Sequence, residues 1–351
     1  MEVSLYFTTF AASYPRRSIC VHRVHCQNQK AFYIKVQSIK VKTNRTKIRW
    51  VTPYTKGKTT FFKALLPFMV ILHHFSQGTG FIPPFAYVGT LVVACFFLMS
   101  GYGLMTSYLK KQDAYLEHFL LHRLKTLFIP YFVMLPLCVA AWTLIKHDSI
   151  WEYFTKRDVE QYVPNTWFVW VLAGGYIAFR IIFGCRIKMK KKLMLFALVS
   201  FSYYVISILH GAPGYWYLSS IGLFLGMVWR YKEETIMNFI DKHIFLFPIL
   251  SIIISVIPKL FFNRGGAVFP VSACLLFIWF AYIYNEKWAN NKFTKFLSGI
   301  SYELYLSHGL IIGKISHLFD SNIVNLTLLI IATIALSTCV NKISNFIKKI
   351  I

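Results

Sequence analysis

Phe61-Phe62-Lys63-Ala64-Leu65-Leu66-Pro67-Phe68-Met69-Val70-Ile71-Leu72-His73-His74-Phe75 is an apolar run broken by one lysine and a histidine pair. It reads as the first membrane-spanning helix. Lys63 and His74 lie eleven residues apart. At about 100° per residue that is three turns plus roughly 20°, so both side chains leave one face, about 16 Å apart along the axis. A cation near one membrane surface and an imidazole deep in the bilayer raise the free energy of insertion, and such residues mark pathways or reaction sites. Pro67 frees the carbonyl of Lys63 from its helical bond, which predicts a bend or a ligand contact there.

Similar apolar runs recur along the 351 residues, of which 56% are hydrophobic and 15% charged. No soluble domain of this length carries so many, and the runs lack the two-residue alternation of barrel strands. The chain is therefore expected to be an all-α polytopic membrane protein of about ten spans. They fall at 61–76, 85–106, 127–145, 166–183, 193–209, 214–230, 243–259, 268–284, 300–319 and 323–345. Residues 1–60 form a basic N-terminal segment, expected to be a cytoplasmic tail with disordered parts, and 347–351 a short cytoplasmic tail. The start of the chain shows no convincing signal-peptide pattern.

Charge orients the bundle. The net charge of +25 lies largely in residues 1–60, where twelve Lys/Arg against Glu2 give +11, and in the connections after even-numbered spans. Those after odd spans are short and nearly uncharged, except 146–165, where three Lys/Arg meet four Asp/Glu. This alternation places both termini in the cytoplasm and argues against nucleic acid as a partner. The seven cysteines suggest no disulfide framework. Cys20, His22, His25 and Cys26 cluster, but their spacing matches no common zinc pattern, and no metal is expected.

Three further stretches carry polar groups. His74 reads either as an interhelical hydrogen-bonding histidine or as a general base, and His73 and His308 add weight to the second reading. Ser100 stands beside Gly101 and Gly103, a pattern that close helix packing alone would explain. Arg123 and Lys125 flank the entry to the third span, as interfacial anchors or as a phosphate clamp. On the ninth span Ser301, Tyr305 and His308 share a face, beside Tyr302. Trp151, Tyr153, Tyr162 and Trp167 offer either a saccharide-binding surface or an interfacial belt.

Taken in order, these stretches resemble the acyltransferase-3 family of membrane acyltransferases. Lys63-x10-His74 matches its R/K-x10-H signature, and Phe96-Phe97-Leu98-Met99-Ser100-Gly101 its F-F-x-x-S-G run. Arg123 through Pro130-Tyr131 matches its basic stretch before a proline. Trp167-Phe168, Phe224-Leu225-Gly226-Met227 and Ser301-Tyr302-x-x-Tyr305-Leu306-x-His308 follow in the family's order, so that the resemblance covers about residues 60–346. The family's R-x-x-R reads here Arg123-x-x-Thr126, leaving Lys125 as the candidate second charge.

The resemblance implies a ten-helix bundle in the inner membrane of a bacterium. It implies acetyl-CoA or another acyl-CoA as donor substrate, with no tightly bound cofactor. The acceptor would be a hydroxyl of a cell-surface or lipid-linked saccharide, with membrane lipid around the bundle. It makes His74 the catalytic histidine and Lys63, Arg123 and Lys125 the donor-binding cations, with His73, Ser100, Tyr302, Tyr305 and His308 in support. The rival expectation is a glycan or lipid transporter or flippase, whose substrate path deep polar residues would equally line.

Overall fold

A computed structural model describes residues 51–351 except 147–148, 158–160, 263–265, 267 and 287–290. The Cys20–Cys26 cluster and most of the N-terminal segment therefore lie outside the described residues. Among those described, the structure is helical throughout, with no strand.

The helices in chain order are α1 (Lys56–Thr79), α2 (Gly89–Lys111), α3 (Asp113–Leu116), α4 (Phe119–Lys146), α5 (Ile150–Thr155), α6 (Trp167–Gly184), α7 (Met189–Leu209) and α8 (Gly214–Leu218). They continue as α9 (Ile221–Tyr231), α10 (Glu233–Lys242), α11 (Leu246–Phe262), α12 (Val268–Ile283), α13 (Lys292–Gly299), α14 (Ser301–Ile315) and α15 (Asn322–Ile350). Helix occupies each of the ten expected spans.

Five of these helices are long and apolar enough to cross a membrane: α2, α4, α6, α7 and α15. A sixth span results if α10 and α11, bent by 97° at their junction, are taken together. The indole of Trp279 fastens that corner by donating to the Ile244 carbonyl at 2.6 Å. α1 falls short of this standard because Lys63, His73 and His74 lower its hydropathy; α12, α14 and the broken α8–α9 pair are short.

α1 begins at Lys56, where the Thr55 hydroxyl caps the Lys58 amide, and runs through Pro67 as one helix. It stops at Gly80, whose φ of 70° needs no Cβ and lets its amide reach back to the Ser76 carbonyl at 2.9 Å. Lys58 at the other end is 1% exposed. Its ammonium donates to the Thr52 hydroxyl at 2.7 Å and to the Ala281 carbonyl at 2.6 Å, clasping α1 to the end of α12.

The centre of the bundle is the α2–α9 contact. A Cβ on Gly101 would lie 1.9 Å from the Leu223 carbonyl oxygen, one on Gly222 2.2 Å from that of Ala94, and one on Gly226 2.0 Å from that of Leu98. Only glycine lets two backbones approach so closely. α2 is also the most enclosed of the five long helices, with 67% of its apolar window buried, against 17% for α7.

Candidate active site around two stacked histidines

The end of α1 is fastened in place by its own following loop. After Gly80 the chain turns back through a 3-10 segment, Pro83–Tyr87. The Ser76 hydroxyl donates to the Ile82 carbonyl at 2.9 Å, and His73 Nδ1 lies 3.0 Å from the Phe85 carbonyl. A carbonyl can only accept, so the His73 proton sits on Nδ1. Gly89 leaves room for that ring: a Cβ there would fall 2.3 Å from His73 Nε2.

His74, one residue on, points elsewhere. Its ring stacks on that of His308 from α14, with centroids 5.2 Å apart and planes 24° from parallel. The Gln77 side chain, one turn further along α1, reaches it too. His308 is fully buried. Its Nδ1 lies 2.6 Å from the Tyr305 carbonyl, which fixes the proton there, and its Nε2 has no hydrogen-bond partner. A buried lone pair without a donor is costly, and such atoms call for an explanation.

His73, His74 and Gln77 line a cavity of about 790 Å³. Its other walls come from the connections after α1, α4 and α7: Tyr87 from the first, Arg157, Gln161 and Asn165 from the second, and Tyr215 beyond the third. Tyr305 closes one side and packs on Phe168 at 4.2 Å between centroids. Trp167 meets Tyr215 at 5.7 Å, offering aromatic faces. Arg157 lies 3.7 Å over the Trp142 ring and donates to the Gln161 carbonyl at 3.0 Å. Among the described residues lining the cavity there is one guanidinium and no carboxylate.

The expected donor-binding cations sit in different settings. Lys63 is half-buried on α1. Arg123 donates to the Tyr115 hydroxyl at 2.8 Å and faces the rings of Phe119 and Tyr176. Only a crevice of about 10 Å³ adjoins it, shared with Thr126 and Tyr302. Lys125 donates to the main-chain oxygen of Ile351 at 3.0 Å. Neither the histidine cavity nor the Arg123 crevice is lined by all three. Ser100 lies on α2 beside the Gly101 contact, and Tyr302 donates to the Leu127 carbonyl at 2.7 Å, tying α14 to α4.

Of the four aromatics considered for a saccharide surface, Trp167 lines the cavity, while Trp151 is 75% exposed away from it. Tyr153 is buried and its hydroxyl bonds the Tyr162 carbonyl. Sequence reasoning missed Arg157, Gln77, Gln161, Asn165 and Gly89. Only Gln77 carried a signal, being on the His74 face one turn on. Cys95, Cys138 and Cys274 are buried free thiols, and no metal-binding cluster occurs among the described residues.

No curated protein and no solved structure matches this chain. A family model does, from residue 60 to residue 342, a region that begins at the foot of α1, ends inside α15 and contains every candidate residue named above. With its family signature carried on α1, α2, α4 and α14, and an apolar helical fold suited to a membrane, the chain belongs to the acyltransferase-3 family, whose model describes an acyltransferase domain.

Proposed function

We propose that this membrane acyltransferase is an O-acetyltransferase, moving an acetyl group from acetyl-CoA to a hydroxyl of a cell-surface or lipid-linked saccharide. The observation that carries the reading is the His74–His308 stack on the wall of a large polar cavity, three helical turns from Lys63 on one helix.

The chemistry follows from the groups present. An acceptor hydroxyl placed in the cavity attacks the thioester carbonyl, and His74 takes its proton. The tetrahedral intermediate collapses with cleavage of the C–S bond. The thiolate of CoA leaves and recovers the proton from the imidazolium, so that His74 ends neutral. A two-step route, in which His74 first accepts the acetyl group and then passes it on, uses the same atoms. His308 is fully buried behind His74 rather than on the cavity wall, and its ring supports the His74 ring through the stack.

The two ends of the bundle suit two substrates. The connections bordering the cavity are those expected outside the cytoplasm, and Trp167, Tyr215, Gln161 and Asn165 have the aromatic faces and amides that saccharides use. The basic connections and Arg123 lie toward the other end, where CoA phosphates would meet Lys63, Arg123 and Lys125 with the thioester reaching along α1. In this reading the protein is a bacterial inner-membrane protein of about ten spans with both termini cytoplasmic.

The test has two arms. Purified protein in lipid discs should release CoA from acetyl-CoA in the presence of a saccharide acceptor. On intact cells, in a variant without native cysteines, an impermeant thiol reagent should label Asp158→Cys and not Lys190→Cys. Labelling of Lys190→Cys alone would put Arg123 outside, away from cytoplasmic CoA. That result would replace the acyltransferase mechanism with a transport role.

A further inference from the structure

A second cavity of about 540 Å³ lies between α6, α7 and α9, and its chemistry differs from that of the histidine cavity. No acidic or basic side chain other than His210 lines it among the described residues. Its α7 wall is Phe196, Val199, Ser200, Tyr203, Ile206 and Ser207, three and four residues apart on one helix face, with His210 at the helix's C-terminal cap. Fourteen residues of helix make the groove about 21 Å long, a large part of a bilayer's apolar thickness. Its floor is Gly174, where an added Cβ would meet nothing within 4 Å. α6 and α7 both qualify as membrane-crossing helices, so the groove follows their axes across the bilayer, parallel to the lipid chains. Polar groups gather at one end: Tyr203, whose hydroxyl donates to the Trp216 carbonyl at 3.0 Å, then Ser207 and His210.

That polar end abuts the histidine cavity. Three elements each face both spaces. On α2, Val93 lines the histidine cavity and Phe97 the groove; on α6, Trp167 and Trp170 divide in the same way; on α8, Tyr215 and Trp216 do. A long apolar slot thus ends beside a polar chamber, with neighbouring residues of the same elements lining each. Such a pair fits an amphiphile with a sugar at one end and a hydrocarbon chain at the other. Unpaired polar groups would not tolerate the slot, whereas a chain leaves no hydrogen bond unmade there.

We infer that the groove holds the isoprenyl or long alkyl chain of the acceptor, so that the saccharide acylated at His74 is lipid-linked. This rests on the acyltransferase reading for the role of the histidine cavity but not for the groove's occupancy.

The probe is hexadecyl glucoside carrying a diazirine at mid-chain, in lipid discs, compared with phosphatidylcholine carrying the same group. Photolabelling by the glucoside should map to α6 and α7 along the groove. Hexadecyl glucoside should compete and methyl glucoside should not. Gly174→Leu fills the slot from its floor without a helix-propensity cost, and Ser200→Phe fills it from the facing wall. Each should cut glucoside labelling at least about tenfold, through loss of chain burial, and leave phosphatidylcholine labelling unchanged. Equal, uncompeted labelling by phosphatidylcholine would mean that bulk lipid merely fills the groove, and unchanged glucoside labelling in both variants would equally overturn the inference. Labelling needs no turnover, so His74→Ala should label like the parent protein. The expected pattern in a protein that never acylates would refute the acyltransferase reading while keeping the groove.

Discussion

The two ends of α1 treat their polar residues in opposite ways. At the Lys58 end basic groups are engaged by protein: Lys58 by Thr52 and Ala281, Arg123 by Tyr115, Lys192 by the Tyr108 hydroxyl and the Phe183 carbonyl. At the His74 end the polar groups face a chamber of about 790 Å³, and His308 Nε2 is left without a partner. Burial of ionisable groups thus does two jobs in one helix bundle. At one end it ties helix termini together. At the other it sets imidazole rings against a polar cavity.

His74→Ala gives that contrast its severest trial. As a general base His74 supplies about 10²–10⁴-fold, so turnover should fall by that factor while the protein still inserts and folds. Turnover within twofold of the parent would make the histidine end as structural as the lysine end.

His308→Phe keeps the stacked ring and the packing but removes both nitrogens. Loss of a lone pair beside the His74 imidazolium as it forms corresponds to about 1.5–3 kcal/mol, so kcat should drop roughly 10–100-fold with the acetyl-CoA KM unmoved. An equal change in both would indicate a collapsed cavity instead.

Arg123→Ala asks whether the lysine end is only structural. A phosphate clamp predicts a rise of about tenfold in the acetyl-CoA KM, with kcat little changed, by the same hydrogen-bond magnitude. A lower unfolding temperature with an unmoved KM would assign Arg123 wholly to its Tyr115 and Tyr176 contacts.

Lys58→Met should have no effect on kcat. It leaves the Ala281 carbonyl and Thr52 without their donor, at about 1–3 kcal/mol for a buried unsatisfied group. The unfolding temperature should fall by several degrees, and a change in turnover would show that the two ends are coupled.

Much of this was legible in the residues. The apolar runs located the helices, Lys63 and His74 announced the first of them, and Gly101 marked a close contact that the α2–α9 backbones confirm. His308 was singled out in support of His74, and the two rings stack. Other features were hidden because they are tertiary. Lys58 looks like any interfacial lysine until α12 brings it the Ala281 carbonyl. Arg157 is one charge in a loop until Trp142 lies under it. Gly89 has meaning only once His73 is seen to occupy the space of its missing Cβ. Length and composition support five or six crossings, because polar residues on α1 and the breaks beside α8 and α10 erode the hydropathy signal there.

The glycine contact between α2 and α9 has a mechanical consequence. Two helices whose backbones touch at three successive levels cannot slide past one another without forcing carbonyl oxygens into Cα atoms. They form a strut, and neither can serve as a hinge for substrates entering or leaving. Compliance has to come from the loosely held perimeter, above all from α7, the least enclosed of the long helices. Restraining α7 by crosslinking it to α6 should therefore slow exchange of the acceptor, whereas restraining α2 against α9 should change nothing, because that pair is already immobile.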